Sequence, residues 1–431
     1  MELEELSRFN GWWTLGHVRA ALLQRYKRKL YGSIVRYLER RQAFLIWGMR
    51  RVGKTVLVFQ LIDELLRSGV DPRHVLYFSF DETPTPDVRD VLETYQREVL
   101  HSALDTTEDR IYVFFDEIQK GRDWENRIKV AYDLYPNVKF VLTGSASVSL
   151  GKKSKESLAG RMMTFLLEPL SFEEFLELSG KDVAEILKSP ALWDREMEPL
   201  LHRYMTSGSF PELVGEDDEE YARNYIMNNV VERVLYRDIP QEFGLRDVEL
   251  LKSLMYIFAK NPGAIVNFAE LSKNLGRDQR TISDYVEYLE YGLLIRLVHN
   301  YRGSPLASAR KLKKAYLGTP NIALAFGPPQ FTATPRLLEN LVLMRTGARF
   351  FYRNSFEVDF VLVNDDETLT AIGVKEGSGR GLEQLKRFSK HFPERVARSI
   401  LVTGAGGTHR TPTSTTERVS VVPMWEFLVI T

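Results

Sequence analysis

The sequence contains no cysteine. Disulfides, thiolate metal sites and thiol nucleophiles are therefore excluded. No apolar run approaches the roughly 18 residues that a membrane-spanning helix requires, and the first thirty residues lack an apolar stretch behind a basic segment. We therefore expect no secretory signal and predict a cytoplasmic protein.

The sequence also lacks an excess of charge of either sign. Lys and Arg number 58, Asp and Glu number 58, and the formal net charge is +0. Binding to nucleic acid or to anionic lipid must therefore come from local patches rather than from the overall field of the molecule. The seven histidines form no i, i+4 pair, so the sequence supports neither a zinc site nor a Ser-His-Asp hydrolase.

Short, nearly continuous apolar runs are the main structural signal in the first part of the chain. They begin near residues 43, 75, 111, 138 and 164 and alternate with stretches of helical periodicity. Strands that are covered on both faces have this appearance, so the pattern predicts an α/β layer sandwich around a parallel sheet. From about residue 171 the periodicity is helical only, and mixed strand and helix patterns return after residue 331.

A phosphate-binding motif follows the first apolar run. Residues 48–55 read GMRRVGKT and match G-x-x-x-x-G-K-[ST], between a strand and an amphipathic helix. The glycines let the backbone wrap around an anion, the lysine adds charge for the terminal phosphates, and Thr55 offers a hydroxyl to Mg²⁺. No guanine-reading Asn-Lys-x-Asp string occurs, which favours ATP. The predicted nucleotide contacts are Gly48, Met49, Arg50, Arg51, Val52, Gly53, Lys54, Thr55 and Val56.

An acidic pair ends the third apolar run. Asp116 and Glu117 follow five apolar or aromatic residues, which places them at the carboxyl end of a buried strand, where ligands bind in α/β sheets. We expect Asp116 to hold Mg²⁺ together with Thr55. Because neighbouring strand residues face opposite ways, Glu117 is expected to point elsewhere and polarise the attacking water. A solvated turn is the alternative, but the glycine loop favours catalysis.

Three further residues are candidates for the same chemistry. The fourth run ends in Thr143 and Ser145, whose hydroxyls would orient water or sense the terminal phosphate; a turn that caps the next element explains them equally well. Arg161 is a candidate for the cation that stabilises phosphoryl charge, from the same or a neighbouring subunit. Arg50 and Arg51 compete for that role, and a surface ion pair is the alternative for Arg161.

These motifs, with the strings LTGSAS, SLAGR, PLSFEEF and SGSFPELV, resemble a known family from about residue 25 to 428. The sequence is similar to archaeal and bacterial AAA-type ATPases whose core is followed by a helical lid, a winged helix and often a restriction-endonuclease-like domain. The resemblance implies an α/β P-loop NTPase core with a parallel sheet over residues 1–170. It further implies an all-α lid over 171–245, a winged helix over 246–325 and an α/β nuclease-like domain over 326–431.

A helix, a turn at Gly276 and a second helix predict a helix-turn-helix in the third of these segments. Basic side chains near it suit phosphate contacts with DNA. The predicted DNA contacts are Lys273, Arg277, Arg280, Arg310, Lys311, Lys313 and Lys314. Asp278, Asp284 and Glu287 lie near the same surface, so a lid or a protein-docking module is the alternative.

Three residues near the end of the chain resemble the metal site of restriction-endonuclease-like nucleases. Glu339 lies in a predicted helix, Asp359 in a strand and Lys375 in the next strand. That pattern expects a carboxylate or amide two residues before the lysine, where Gly373 stands, and strand alternation turns Glu376 to the opposite face. We expect a nuclease-like shape without complete cleavage chemistry; a charged surface on a scaffold is the alternative.

The sequence therefore predicts Mg²⁺-dependent ATP hydrolysis that repositions the lid and winged helix relative to the core. Three hypotheses about its purpose remain: a DNA-associated motor or switch, a STAND-like signalling or scaffold ATPase that binds a protein partner, and an ATP-gated nuclease. Stimulation of ATP turnover by DNA separates the first two. The oligomeric state is open, because an arginine acting from a neighbouring subunit requires a dimer or ring.

Overall fold

The computed structural model describes residues 1–81, 86–145, 158–303, 312–327, 335–375, 379–404 and 419–430. The chain divides into two compact units, Met1–Glu168 and Pro169–Thr431. This boundary lies close to residue 170, where the sequence predicts the end of the core. Within the described ranges, no helix combines the length and the apolar character needed to span a membrane.

The first unit is built on a five-stranded parallel sheet, which confirms the predicted α/β core. The strand order is β2-β3-β4-β1-β5, so β4 lies between the strands that precede the glycine loop and the acidic pair. The strands are β1 (Ala43–Trp47), β2 (Val75–Ser79), β3 (Ile111–Asp116), β4 (Val138–Gly144) and β5 (Met162–Leu166).

Helices cover this sheet and bury its nearly continuous apolar strands. Every residue of β3 and β4 is buried, as expected of strands with helices on both faces. Helix α4 turns Leu57, Leu61 and Leu65 inward, the stripe that its four-residue spacing predicts. The helices are α1 (Leu3–Phe9), α2 (Trp12–Leu15), α3 (Lys29–Tyr37), α4 (Lys54–Arg67), α5 (Val88–Tyr95) and α6 (Trp124–Leu134).

The amino-terminal segment closes the free edge of β2. The side-chain amide of Asn10 donates to the carbonyl oxygen of Tyr77 (2.8 Å) and accepts from its backbone N–H (2.7 Å). The indole nitrogens of Trp12 and Trp13 both donate to the carbonyl oxygen of Val75 (3.0 and 2.9 Å). Backbone groups that an edge strand would leave exposed are thereby satisfied.

The second unit combines helices with an eight-stranded mixed sheet of order β13-β12-β11-β10-β9-β7-β8-β6. The strands are β6 (Ala264–Ile265), β7 (Ile295–Asn300), β8 (Lys313–Leu317), β9 (Phe350–Arg353), β10 (Glu357–Val363), β11 (Leu369–Lys375), β12 (Val396–Thr403) and β13 (Val419–Pro423). The helices are α7 (Phe172–Leu178), α8 (Val183–Lys188), α9 (Pro190–Arg203), α10 (Glu219–Ile226), α11 (Ile239–Phe243), α12 (Val248–Lys260), α13 (Phe268–Leu275), α14 (Gln279–Tyr291), α15 (Asn321–Ala325), α16 (Pro335–Thr346), α17 (Gly379–His391) and α18 (Met424–Ile430).

One sheet runs through the two segments that the sequence divides at residue 325. Strand β7 pairs in parallel with β9 through His299 with Phe350 and Asn300 with Phe351. The buried side chain of Asn300 extends this pairing, because it donates to the carbonyl oxygen of Arg353 (3.0 Å) and accepts from its N–H (2.9 Å). The later part of the chain is therefore a mixed sheet whose continuity the sequence pattern did not reveal.

Candidate nucleotide site

The glycine loop joins the end of β1 at Trp47 to the start of α4 at Lys54. Gly53 has a φ of 95°, in the left-handed region that favours glycine. At Gly48 the reason is space: a Cβ atom would lie 2.3 Å from the carbonyl oxygen of Leu167. Both glycines of the motif are thus required by the conformation of the loop itself.

Lys54 is folded back into this loop. Its ammonium donates to the carbonyl oxygens of Gly48 (3.1 Å) and Met49 (3.0 Å), and the residue is 6% exposed. The side chains of Met49 and Val52 are buried in the core, so these two predicted contacts have only their main chain to offer to a ligand. Arg51 and Thr55 are exposed.

Asp116 collects hydroxyl groups from three different elements. Its Oδ2 accepts from the hydroxyl of Thr55 (2.8 Å) and from that of Tyr77 (3.0 Å), and its Oδ1 accepts from the hydroxyl of Thr143. Burial, and then the negative charge of Asp116, raise the pKa of Tyr77 well above its usual value, so the phenol remains a neutral donor. The carboxylate of Asp116 beside the hydroxyl of Thr55 is a set of oxygen ligands that fits Mg²⁺.

Glu117 leaves β3 in the left-handed conformation, with a φ of 52°. The direction of its side chain is therefore set by the turn and not by strand alternation, which corrects the reason given from the sequence. Its backbone N–H donates to the hydroxyl of Thr143 (3.2 Å), and its Oε2 accepts from Nε2 of Gln119 (2.6 Å). Ser145 is buried just beyond the end of β4.

Arg161 lies at the opposite end of the sheet. Its carbonyl oxygen accepts from the N–H of Ala43, the first residue of β1. Five residues of strand at 3.3 Å each separate that end from Gly48, about 16 Å. Nε and Nη2 of Arg161 donate to the carboxylate of Asp133 (2.9 and 3.1 Å), which lowers the pKa of Asp133. Within one subunit, Arg161 therefore forms the surface ion pair that was the alternative. The expectation that it contacts phosphate in the same subunit is wrong.

Three residues that contact the site were not predicted from the sequence: Arg28, Tyr77 and Gln119. Arg28 is 8% exposed, and its guanidinium donates to the carbonyl oxygens of Val52 and Glu168 (2.8 Å each). No spacing rule pointed to any of the three. The signals available in the sequence were a basic stretch around Arg28 and the position of Tyr77 within the second apolar run.

A second cluster joins the three residues near the end of the chain. Nζ of Lys375 lies 2.8 Å from Oδ2 of Asp359, and the same oxygen accepts from the N–H of Val374 (2.7 Å). Oε2 of Glu339 accepts from the hydroxyl of Tyr316 (2.7 Å). Burial, and then the charge of Asp359, raise the pKa of Glu339.

Position 373 supplies no ligand to this cluster. A Cβ atom at Gly373 would meet the side chains of Leu401 and Leu385, at 3.4 and 3.5 Å. In the described part of the chain, no three His, Asp or Glu side chains are grouped as ligands for a metal ion.

The predicted DNA contacts fall into four groups. Lys273, Arg277 and Arg280 are exposed around α13 and α14, although Nη2 of Arg277 is 2.8 Å from Oδ2 of Asp247. Lys314 is 5% exposed, and its Nζ is 2.6 Å from Oε1 of Glu357. Because strand β8 turns Lys314 inward, the expectation that it contacts phosphates is wrong. Lys313 is half-buried on β8, and Arg310 and Lys311 lie outside the described residues.

Residues 40–176 match the family model described as "AAA domain", and residues 198–326 match a model described as a domain of unknown function. An uncharacterized protein of Methanocaldococcus jannaschii is 26% identical over 404 residues, which cover 89% of this chain and 87% of that protein. An uncharacterized protein of Haemophilus influenzae is 29% identical over 265 residues. This match covers 60% of the chain and 62% of the Haemophilus protein, less than two thirds of its length.

Among solved structures, Drosophila ORC bound to AT-rich DNA and Cdc6 aligns with a TM-score of 0.26 and 9% identity, covering 68% of this chain and 88% of that one. C. elegans PCH-2 aligns with a TM-score of 0.23 and 14% identity, covering 37% of this chain and 44% of that one. The match to the family model and the parallel sheet that carries the glycine loop agree with each other. Residues 40–176 are thus similar in sequence to an AAA domain, and the parallel α/β sheet with its glycine loop is consistent with the core of a P-loop ATPase.

Proposed function

We propose that the protein is a Mg²⁺-dependent ATPase in which hydrolysis in the first unit drives movement of the second unit. One observation carries this proposal: Asp116, at the end of β3, accepts hydrogen bonds from Thr55 beside the glycine loop and from Thr143 at the end of β4. Three motifs that are far apart in the sequence thus meet at one carboxylate. Such a meeting point is what phosphoryl transfer needs, because its catalysis is mainly positioning and charge stabilisation.

Each residue has a distinct part in this proposal. The backbone N–H groups of the loop and the ammonium of Lys54 bind the phosphates, while Thr55 and Asp116 hold the metal ion. Bound Mg²⁺ neutralises the charge of the phosphate oxygens. Glu117 accepts the proton of the attacking water, and Gln119 holds one of its carboxylate oxygens. Adenine is favoured because the sequence lacks a guanine-reading string.

Binding and hydrolysis of Mg²⁺–ATP by the Lys54→Ala variant test this proposal. We expect the variant to lose affinity or turnover by on the order of 100-fold, because a charge-assisted contact to the terminal phosphates is removed. Lys188→Ala, at an exposed position of α8, is the control and should behave as the wild type. Hydrolysis by Lys54→Ala at the wild-type rate would contradict the proposal.

DNA is the partner that we propose for the second unit. Helix α12, strand β6, helices α13 and α14 and the β7–β8 hairpin follow one another along the chain, an order that supports a winged-helix module. Lys273, Arg277 and Arg280 supply exposed positive charge beside it. The alternative is a signalling or scaffold ATPase with a protein partner, which the exposed carboxylates of Asp278 and Glu287 favour.

Two finer points belong to the same proposal. Arg161 contributes to hydrolysis only from a neighbouring subunit, so an ATPase that is active as a monomer would exclude that role. An ATP-gated nuclease would need a further ligand near Asp359, since Lys375 and the N–H of Val374 already contact one of its oxygens and Gly373 offers no side chain. DNA cleavage in Mg²⁺ or Mn²⁺ that Asp359→Ala abolishes would establish that alternative.

A further inference from the structure

Arg28 joins two parts of the first unit that matter for nucleotide binding. Its Nη1 donates to the carbonyl oxygen of Val52 in the glycine loop, and its Nη2 donates to the carbonyl oxygen of Glu168. Glu168 is the last residue of the first unit, and the second unit begins at Pro169. One buried guanidinium, whose fork geometry suits two acceptors at once, thus contacts both the glycine loop and the connector, as we call residues 167 and 168 at the end of the first unit.

The segment that carries Arg28 is fixed to helix α4. Nε2 of the buried Gln60 donates to the carbonyl oxygens of Gln24 and Tyr26 (2.8 Å each). The hydroxyl of Tyr31 donates to Oε2 of Glu64 (2.7 Å). Since the glycine loop opens directly into α4, Arg28 is held in the same frame as the start of that helix.

The bond to Val52 has a consequence for the next peptide N–H. In a trans peptide the carbonyl and the following N–H point in opposite directions. Arg28 draws the carbonyl of Val52 to its own side and thereby turns the N–H of Gly53 to the other side of the loop. Backbone N–H groups are the anion-binding groups of such loops, so Arg28 acts on a phosphate contact without touching the phosphate.

The connector lies against the same loop. The N–H of Leu167 donates to the carbonyl oxygen of Trp47 (2.8 Å), and the carbonyl oxygen of Leu167 occupies the space where Gly48 would carry a Cβ atom. Residues 167 and 168 therefore contact the glycine loop near its first glycine directly and near its second glycine through Arg28.

We propose that Arg28 is a positioning residue with two effects. It orients the glycine loop, and it transmits a change of the loop on nucleotide binding to the connector at Glu168. This inference rests on the proposed nucleotide binding and adds the route by which the loop acts on the chain leading to the second unit. A shift of the Val52 carbonyl on nucleotide binding displaces the Arg28 guanidinium through their hydrogen bond. The guanidinium then displaces the carbonyl of Glu168 through the second hydrogen bond.

Hydrogen exchange of the backbone amides of Leu167 and Glu168, with and without a non-hydrolysable Mg²⁺–ATP analogue, tests the proposal in the full chain. In the wild type we expect the analogue to slow exchange about tenfold, since it restrains local opening of the connector. Arg28→Gln should still bind the analogue, with reduced affinity. The ratio of the exchange rates without and with the analogue should fall most of the way to one in this variant. The control Arg25→Gln, at an exposed position three residues upstream, should keep it.

Arg28→Lys tests the same proposal by the same measurement if the glutamine variant fails to fold. It keeps the charge but replaces the planar fork with a point cation, so we expect a reduced ratio. A purely structural role would lower thermal stability equally with and without the analogue and leave the ratio unchanged. A wild-type ratio in the folded variants would overturn the proposal, as would a wild type that binds the analogue without any change at residues 167 and 168. Failure of the wild type to bind would overturn the proposed function as well.

Discussion

At the residue level, the two carboxylates of the acidic pair have different surroundings. Asp116 is 4% exposed and accepts from three hydroxyl groups, whereas Glu117 is half-buried and contacts the amide of Gln119. A buried carboxylate that three hydroxyl groups hold in place, and that has about four acceptor positions, can still hold a metal ion in one position. A partly exposed carboxylate has an oxygen edge that can reach water, which agrees with the proposed division of roles.

Glu117→Gln should keep Mg²⁺–ATP binding and lose hydrolysis. The amide cannot accept the proton of the attacking water, so we expect kcat to fall by roughly 10²- to 10⁴-fold. Steady-state turnover and equilibrium binding measure the two effects separately. Glu108→Gln changes an exposed glutamate just before β3 and should leave both unchanged. Equal turnover in Glu117→Gln and the wild type would remove Glu117 from its assigned role.

Glu339→Gln should stabilise the protein at neutral pH. The pKa of Glu339 is raised in the folded state by burial and by Asp359, so folding favours its protonated form. Its contribution to stability is complete below the unfolded pKa of about 4.3 and is lost as the pH rises through the raised folded pKa. Glutamine is neutral throughout and keeps an acceptor for the Tyr316 hydroxyl.

Urea unfolding at pH 7 and pH 4.5 checks this prediction. The gain in unfolding free energy over the wild type should be larger at pH 7 than at pH 4.5. Glu383→Gln, at an exposed position of α17, should show no such dependence on pH. A loss of stability in Glu339→Gln that is larger at pH 7 than at pH 4.5 would mean that folding favours the ionised form, and would contradict the prediction.

At the level of elements, the close approach of β1 and β5 fixes the start of the glycine loop. Gly48→Ala would place a Cβ atom 2.3 Å from a backbone oxygen and 3.2 Å from a backbone carbon of Leu167, neither of which can turn away as a side chain can. We expect a loss of about 1–3 kcal/mol in unfolding free energy, together with weaker nucleotide binding because the loop moves.

Gly32→Ala is the matched control for that substitution. A Cβ atom at Gly32, inside α3, would meet nothing within 4 Å. Alanine should therefore stabilise the helix by about 0.5–1 kcal/mol. Chemical unfolding of the two variants side by side should give changes of opposite sign, and an equal response would show that the space beside Gly48 is not limiting.

At the level of the whole molecule, the continuous sheet joins the two later segments of the second unit. Because β7 and β9 are hydrogen-bonded neighbours, the helices around α14 and the strands that carry Asp359 and Lys375 share one frame. A movement of the second unit would carry both together. DNA bound beside α14 would then move with the Asp359 cluster.

Duplex DNA should stimulate ATP turnover if the DNA-associated proposal is correct. The combined variant Lys273→Ala, Arg277→Ala and Arg280→Ala should bind duplex DNA more weakly and reduce the slope of log affinity against log salt by roughly one for each lost phosphate contact. Lys314→Ala should keep DNA affinity and lose stability, since it removes the 2.6 Å ion pair of the partly buried Glu357 and leaves that carboxylate with Arg353 at 3.7 Å. Affinity that does not depend on salt would favour a protein partner.

The amino-acid sequence by itself determined the local features of this protein. Continuous apolar runs specified the strands, since strands buried on both faces are mostly apolar. The spacing of Gly48, Gly53, Lys54 and Thr55 predicted a phosphate-binding loop, since that pattern combines a tight turn with positive charge. The acidic pair could be singled out because a carboxylate directly follows a long apolar run, and Asp116 indeed ends a strand that is buried throughout.

Only the tertiary structure decided which of these features meet. The order β3-β4-β1 brings Asp116, Thr143 and Thr55 together and places Arg161 at the far end of the sheet, and neither relation follows from distance along the chain. The contacts of Arg28 with Val52 and Glu168 and the pairing of β7 with β9 are of the same kind. Each of these contacts ends on a backbone group, which every residue possesses, so the sequence does not indicate which residues are contacted.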